Sequence, residues 1–316
     1  MSNACVTRLA PSPTGALHLG NARTFLVNWA LARRFGWRIV LRIEDLDGPR
    51  VKAGAVESAI DTLRWLGMDW DDGPIIQSAD LSPYVAAMHA LASRGLVYPS
   101  DLSRAEIEAS ASAPQEGGPA ESRFPAELRP ARDTFPAEFD QPERGWRFAV
   151  PDEEVTFDDG FAGPQRHSPS ETVGDFVVWT KRGQPSYQLA VVVDDIRHGV
   201  TDVVRGDDLL DSTARQLLLY RALGHDYTPR WTHLPLVVGQ DGKRLAKRHG
   251  DTRVSNYRET GTVPERVIGL LAAWCGLAAR PRAMSAPEFK DAFSLATMPH
   301  ERTVFTAEHH AWLMNA

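Results

Sequence analysis

The first fifty residues of the sequence constrain the fold most. Val6 to Ala10 reads as a short buried strand, Pro11-Ser12-Pro13-Thr14-Gly15 as a turn, and about Gly20 to Phe35 as a helix. Phe25, Leu26, Trp29 and Ala32 give that helix an apolar stripe, and Arg33, Arg34 and Gly36 close it. Arg38 to Ile43, rich in Ile, Val and Leu, follows as a second strand. Amphipathic helices over Val56 to Leu66 and Pro83 to Arg94 extend the alternation, which is the rhythm of a parallel α/β sheet.

The rhythm breaks near Asp101. Ala109 to Pro119 is a run of Ala, Ser, Pro, Gly and Gln without periodicity and reads as a flexible insert. Short strands over Arg147 to Asp158 and Phe176 to Trp179 come next, then a strand at Thr201 to Arg205, a helix at Ser212 to Leu223 and a strand at Thr232 to Val238. Gly239 to Gly242 marks a tight turn. Short helices are expected around Pro264 to Cys275, Ala286 to Phe293 and Ala307 to Leu313. The expected division is a first half of the sheet domain over 1–98, a connective insert over 99–175, a second half over 176–250 and a short helical region over 251–316.

Composition excludes several classes. With 316 residues and 43% hydrophobic content the chain can bury a large core. No apolar run is long enough for a membrane span, because Leu189 to Val193 is soon interrupted by Asp194, Asp195 and Arg197. Met1 to Arg8 lacks a secretory pattern, so a cytoplasmic location is expected. Cys5 and Cys275 are too few for a disulfide framework or a metal site. A net charge of −6 argues against coating nucleic acid by charge alone, so any RNA contact must be a local basic patch.

Two stretches carry chemistry. His18-Leu19-Gly20-Asn21 stands at a helix start, where free amides and the helix dipole favour phosphate. His18 adds a donor for a charged transition state, and Gly20 leaves room for a base against the backbone. Alone, such a tetrapeptide also fits a chance helix start. Gly242-Lys243-Arg244-Leu245-Ala246-Lys247-Arg248-His249-Gly250 is a basic loop able to close over a triphosphate, or simply a solvated turn. The pairing of the two in one α/β domain favours nucleotide chemistry.

Arg8-Leu9-Ala10-Pro11-Ser12-Pro13-Thr14-Gly15, Leu17-His18-Leu19-Gly20-Asn21-Ala22-Arg23-Thr24 and Leu41-Arg42-Ile43-Glu44-Asp45-Leu46-Asp47 together resemble the opening of glutamyl-tRNA synthetases. Arg244 to Arg248 stands where that family carries its lysine-loop signature, and Val203 to Leu210 resembles the segment beside its amino-acid pocket. The resemblance runs from about residue 6 to 250. It implies a Rossmann-like class I aminoacyl-tRNA synthetase catalytic domain with an inserted connective subdomain. It also implies that Arg8, Ala10 and Ser12 line a glutamate site, that Glu44 holds the ammonium group, and that Tyr187 and Arg205 complete the pocket. His18, Gly20 and Lys247 would serve ATP, which enters with Mg²⁺. Arginine forks plus one acid suit a substrate with two carboxylates and one ammonium group.

No anticodon-binding domain is expected after the loop. The sequence then resembles the shortened subfamily of glutamyl-queuosine tRNA(Asp) synthetases, which implies L-glutamate, ATP and queuosine-containing tRNA(Asp) as partners, with no membrane. That subfamily often holds zinc in its insert. Here Ser100, Leu102, Gly118 and Ser122 stand at the ligand positions, so no zinc is expected. Arg244 and Ala246 replace the loop's usual first lysine and serine, and Asn21 replaces a histidine. Competing readings are a truncated glutamyl-tRNA synthetase charging the 3′ end of tRNA(Glu), and a catalytically silent ligand-binding paralogue. An unrelated nucleotidyltransferase accounts for His18 and Gly20 but leaves Glu44, Arg205 and the lysine loop unexplained.

Overall fold

The computed structural model describes residues 5–103, 106–107, 123–243, 245 and 252–314. Three parallel strands open the fold: β1 (Val6–Leu9), β2 (Arg38–Ile43) and β3 (Asp72–Ile76), in the order β1-β2-β3. The strands alternate between two cores. Ile39, Leu41 and Ile43 face a core shared with α1 (Leu19–Phe35), while Val40 faces a second core shared with the helix Ser82–Ser93. A strand covered on both faces needs an almost unbroken apolar run, which is what β2 carries. Helix α1 stops at Gly36, whose left-handed φ of 69° lets its N–H turn back to Ala32 O.

β3 escapes a reading by pattern because Asp72-Gly73-Pro74 looks like a turn. Gly73 has φ 99°, and a Cβ there would stand 2.3 Å from Leu41 O, so the close approach of β3 to β2 depends on the missing side chain.

The next strands are β4 (Val97–Pro99), β5 (Trp146–Phe148), β6 (Val155–Asp159), β7 (Gly163–His167), β8 (Phe176–Thr180) and β9 (Gln184–Pro185). β10 (Asp202–Gly206), β11 (Arg230–Leu234), β12 (Val237–Val238) and β13 (Thr303–Val304) complete the set among the described residues. β10 runs beside β1, with Thr201 N donating to Val6 O at 2.8 Å, and pairs in parallel with β11. The hairpin β6–β7 joins the far edge of β11, whereas β4, β5, β8 and β9 form a separate antiparallel sheet. Sheet pairing therefore crosses residue 176, because β8 pairs with β5 and β11 pairs in parallel with β6.

The single strand expected over Thr232 to Val238 is two. Pro235 has no N–H and a fixed φ, so the ladder of β11 ends at Leu234 and β12 pairs instead with β13.

The insert's sheet is held by Asp175, which is 1% exposed. It accepts the Tyr98 hydroxyl at 2.6 Å, Arg129 Nε at 2.7 Å and Val150 N at 2.8 Å. Ser100 uses its backbone N–H to reach Gly145 O at 2.7 Å, and Leu102 packs against the cluster of Tyr98, Ile107, Phe124 and Ala149. Gly118 and Ser122 lie outside the described residues. Helices Val254–Glu259, Pro264–Trp274, Ala286–Ala292 and Ala307–Met314 pack on the α1 side through Tyr257, Leu270, Phe289 and Leu313. Among the described residues no helix is long and apolar enough to cross a membrane.

Candidate active site

The carboxyl ends of parallel strands, where neighbouring strands lead to opposite faces of a sheet, leave a crevice. Here a cavity of about 340 Å³ opens beside the ends of β1, β2 and β10. Arg8 comes from β1, Arg205 from β10, and Glu44 directly follows β2. Glu44 N donates to Pro11 O at 3.1 Å, which ties the two strand ends together. Ala10, Ser12 and Tyr187 line the same cavity, Tyr187 being the first residue of the helix Tyr187–Arg197. His18 and Gly20, at the start of α1, line its other part. The residues singled out from the sequence thus meet at one place, except Lys247, which lies outside the described residues together with Arg244 and Ala246.

Each charged group is held differently. Arg8 is 5% exposed, with Nε 3.6 Å from Asp195 Oδ1 and its strand carbonyl accepting from Asn28 Nδ2 at 2.9 Å. Arg42, fully buried on β2, reaches Asp195 Oδ1 at 2.7 Å and Glu44 Oε1 at 3.2 Å. Burial pushes the Glu44 carboxyl above its ordinary range, and the nearby Arg42 and Arg8 guanidiniums oppose that push.

Arg205 is also 5% exposed, yet among the described residues no carboxylate ion-pairs with it. Its donors meet neutral acceptors: His233 Nε2 and Gln216 Oε1, each at 2.9 Å, Thr213 Oγ1 at 2.8 Å and Leu209 O at 3.3 Å. Burial lowers its pKa below the usual arginine value, with Asp195 acting on it in the opposite sense from beyond ion-pair contact, so among the described residues Arg205 is a desolvated cation with no carboxylate in direct contact.

The helix-start half of the cavity is tied to the segment after the lysine loop. Thr252, fully buried, places Oγ1 3.0 Å from His18 Nδ1, and its carbonyl accepts Leu19 N at 3.1 Å. Val254 N donates to Leu17 O at 2.9 Å. On the near side of the loop, Gly239 N donates to Lys243 O at 2.8 Å, and Leu245 lines the cavity. A Cβ on Gly20 would lie 3.4 Å from Val237 Cβ, an ordinary contact, so packing within the chain does not by itself require glycine there.

Several residues of this site were not legible as such. Arg42 alternates with apolar neighbours on a buried strand, a pattern that could have marked it. Asp194 and Asp195 read as polar interruptions, yet both are buried: Asp194 Oδ2 accepts Gln77 Nε2 at 2.8 Å and the Tyr84 hydroxyl at 2.9 Å. Thr252, His233 and Asp159 had no local signal.

The chain matches the family of tRNA synthetases class I (E and Q), catalytic domain, over residues 4–311. It belongs to that family and is a class I aminoacyl-tRNA ligase. Within the family it is a close homologue of the glutamyl-Q tRNA(Asp) synthetase of Symbiobacterium thermophilum, 48% identical over 95% of this chain and 96% of that protein. The glutamyl-Q tRNA(Asp) synthetase of Rhodopirellula baltica is 47% identical over 88% of this chain and 87% of its own length. A glutamate–tRNA ligase of Synechococcus sp. is 40% identical over 92% of this chain, which spans 59% of that longer protein. The crystal structure of a glutamate-tRNA synthetase from Elizabethkingia anophelis superposes with a TM-score of 0.79 at 28% identity, over 98% of this chain and 70% of the other.

Proposed function

We propose that the protein activates L-glutamate with ATP and transfers the glutamyl group to queuosine in the anticodon loop of tRNA(Asp). The carrying observation for activation is Arg205, a buried guanidinium at the cavity wall surrounded by neutral acceptors. A substrate carboxylate is the counter-ion such a cation calls for, and a glutamine amide would leave the charge uncompensated. Arg8, Ala10, Ser12 and Tyr187 shape the rest of the pocket, and Glu44, whose burial raises its pKa while Arg42 and Arg8 favour its charged form, takes the ammonium group.

In the first step the glutamate α-carboxylate attacks the α-phosphorus of ATP and pyrophosphate leaves, with Mg²⁺ neutralising the phosphates. His18 donates to charge that builds on the phosphate oxygens, and Lys247 serves the leaving pyrophosphate. In the second step a hydroxyl of the cyclopentene diol of queuosine attacks the adenylate carbonyl, its proton passes to a phosphate oxygen of the adenylate, and AMP leaves with the electron pair of the broken C–O bond. Positioning and electrostatics supply the acceleration.

The queuosine acceptor is supported by the 48% and 47% identities to glutamyl-Q tRNA(Asp) synthetases, against 40% to a glutamate–tRNA ligase. Incorporation of labelled glutamate into tRNA(Asp) with and without queuosine tests it. Label only in the queuosine form is expected, and equal labelling of both, or labelling of the 3′ end of tRNA(Glu), overturns it. The insert is proposed to stand without zinc, since Leu102 lies in an apolar cluster and Asp175 joins the strands. Stoichiometric zinc in the purified protein overturns that.

A further inference from the structure

We propose that His233, its tautomer set by Asp159, is the residue that positions the Arg205 guanidinium toward the substrate carboxylate without neutralising it. This rests on the reading of Arg205 as a glutamate-binding residue.

The sheet register makes the pairing. Arg205 on β10 and His233 on β11 are direct neighbours across a parallel ladder, and β6 brings Asp159 to the other edge of β11. The side chains of His233 and Asp159 are fully buried. Arg205 Nε lies 2.9 Å from His233 Nε2. An arginine Nε–H can only donate, so His233 Nε2 must accept and its proton must sit on Nδ1. Nδ1 in turn lies 2.6 Å from Asp159 Oδ2.

Asp159 is itself fixed in orientation. Its Oδ1 accepts three backbone N–H groups, from Phe161 at 2.9 Å, Ala162 at 2.7 Å and His233 at 3.1 Å. Only Oδ2 is left for the imidazole, and it must receive a proton. The charged groups facing His233 are Asp159 from β6, Arg205 from β10 and, further off, Arg8 from β1, and the Thr213 hydroxyl lies 3.3 Å from Nε2. Burial keeps the ring below its ordinary pKa, and a second proton would set N–H against N–H at Arg205.

The choice of a neutral imidazole has a consequence for specificity. A carboxylate at the same place would orient Arg205 equally well but would satisfy its charge inside the protein. Imidazole orients the guanidinium and leaves the full charge for the ligand, while the acid that selects the tautomer stays one ring further away.

Glutamate-dependent ATP–pyrophosphate exchange, with KM measured separately for glutamate and ATP, tests the assignment. In Asp159→Asn the three backbone donors hold the amide oxygen at the Oδ1 position, so the amide N–H faces Nδ1 and drives the ring proton onto Nε2. The glutamate KM is expected to rise on the order of 10- to 100-fold, as for a lost hydrogen bond to a charged group, with the ATP KM unchanged. His233→Phe should match it, and His233→Gln, whose side-chain oxygen can reach the Nε2 position, should recover part of the loss. A wild-type glutamate KM in both Asp159→Asn and His233→Phe overturns the inference. So does an ATP KM that climbs in step, or failure of all three variants to fold, since either marks a merely structural pair. Wild-type protein without glutamate-dependent exchange sinks the reading of Arg205 itself, and this inference with it.

Discussion

Arg42 Nη1 donates to Asp195 Oδ1 at 2.7 Å, with the two side chains 0% and 5% exposed. The same oxygen lies 3.6 Å from Arg8 Nε, so one carboxylate anchors a supporting arginine and a pocket arginine together. Glu44 is the second acid of Arg42, at 3.2 Å, so the cluster ties together two residues that line the cavity, Arg8 and Glu44. Removing one partner of a buried ion cluster strands the others. Asp195→Asn is therefore expected to lower unfolding free energy by on the order of 3 kcal/mol, read by urea denaturation, and to raise the glutamate KM.

His18 and Thr252 form a second pair, 3.0 Å apart from Nδ1 to Oγ1. Because the threonine follows the lysine loop and the histidine opens α1, the contact joins the two segments proposed to face ATP. His18→Ala should lower kcat in pyrophosphate exchange by on the order of 100-fold, as for loss of one donor aimed at developing charge, with a smaller change in the ATP KM. Thr252→Val should lower kcat less, by roughly tenfold for one lost hydrogen bond, and Thr252→Ser should restore it. Equal kcat in the valine variant would break the link.

Gly20 and Tyr187 separate folding from binding. Space at Gly20 accepts a methyl group, with Val237 Cβ at 3.4 Å, so Gly20→Ala should keep the wild-type Tm while raising the ATP KM. Tyr187 is 40% exposed at the cavity, so Tyr187→Phe should likewise leave Tm unchanged and raise the glutamate KM. A fall in Tm without a change in either KM contradicts both assignments.

The Asp159–His233 pair also predicts a pH dependence of stability. Burial lowers the His233 pKa below its ordinary 6.5, so the unfolded chain takes up a proton that the folded ring refuses, and stability falls as pH drops below that value. For Asp159, burial alone would raise the carboxyl. The His233 N–H and the backbone N–H groups outweigh it and hold the carboxyl below its ordinary 3.8. Its contribution is present above that value and is lost as pH falls through the depressed one. Urea unfolding across pH should show both losses in the wild type. His233→Gln should lack the first and Asp159→Asn the second, and profiles parallel to wild type would count against the pair.

Elements with a strong local period were legible from residues alone. The helix expected from about Gly20 to Phe35 is Leu19–Phe35, and the strand Arg38 to Ile43 has those bounds. β3 was not legible because Gly73 and Pro74 signal a turn, and its place is decided by the approach to Leu41 across the sheet. The stretch Thr232 to Val238 misled in the opposite sense, since its β-forming side chains outweigh one proline in a pattern but not in a hydrogen-bond ladder.

By itself the sequence determined the α/β rhythm and which side chains could serve the pocket, because turn chemistry and apolar period act over a few residues. Only the tertiary structure decided how those side chains are charged and aimed. Arg205 meets a neutral acceptor because strand register sets His233 beside it, and Arg8 shares Asp195 with Arg42 across 187 residues from 8 to 195. Counter-ions and hydrogen-bond partners are set by distance in space, and in this chain those partners come from strands and helices far apart in the sequence.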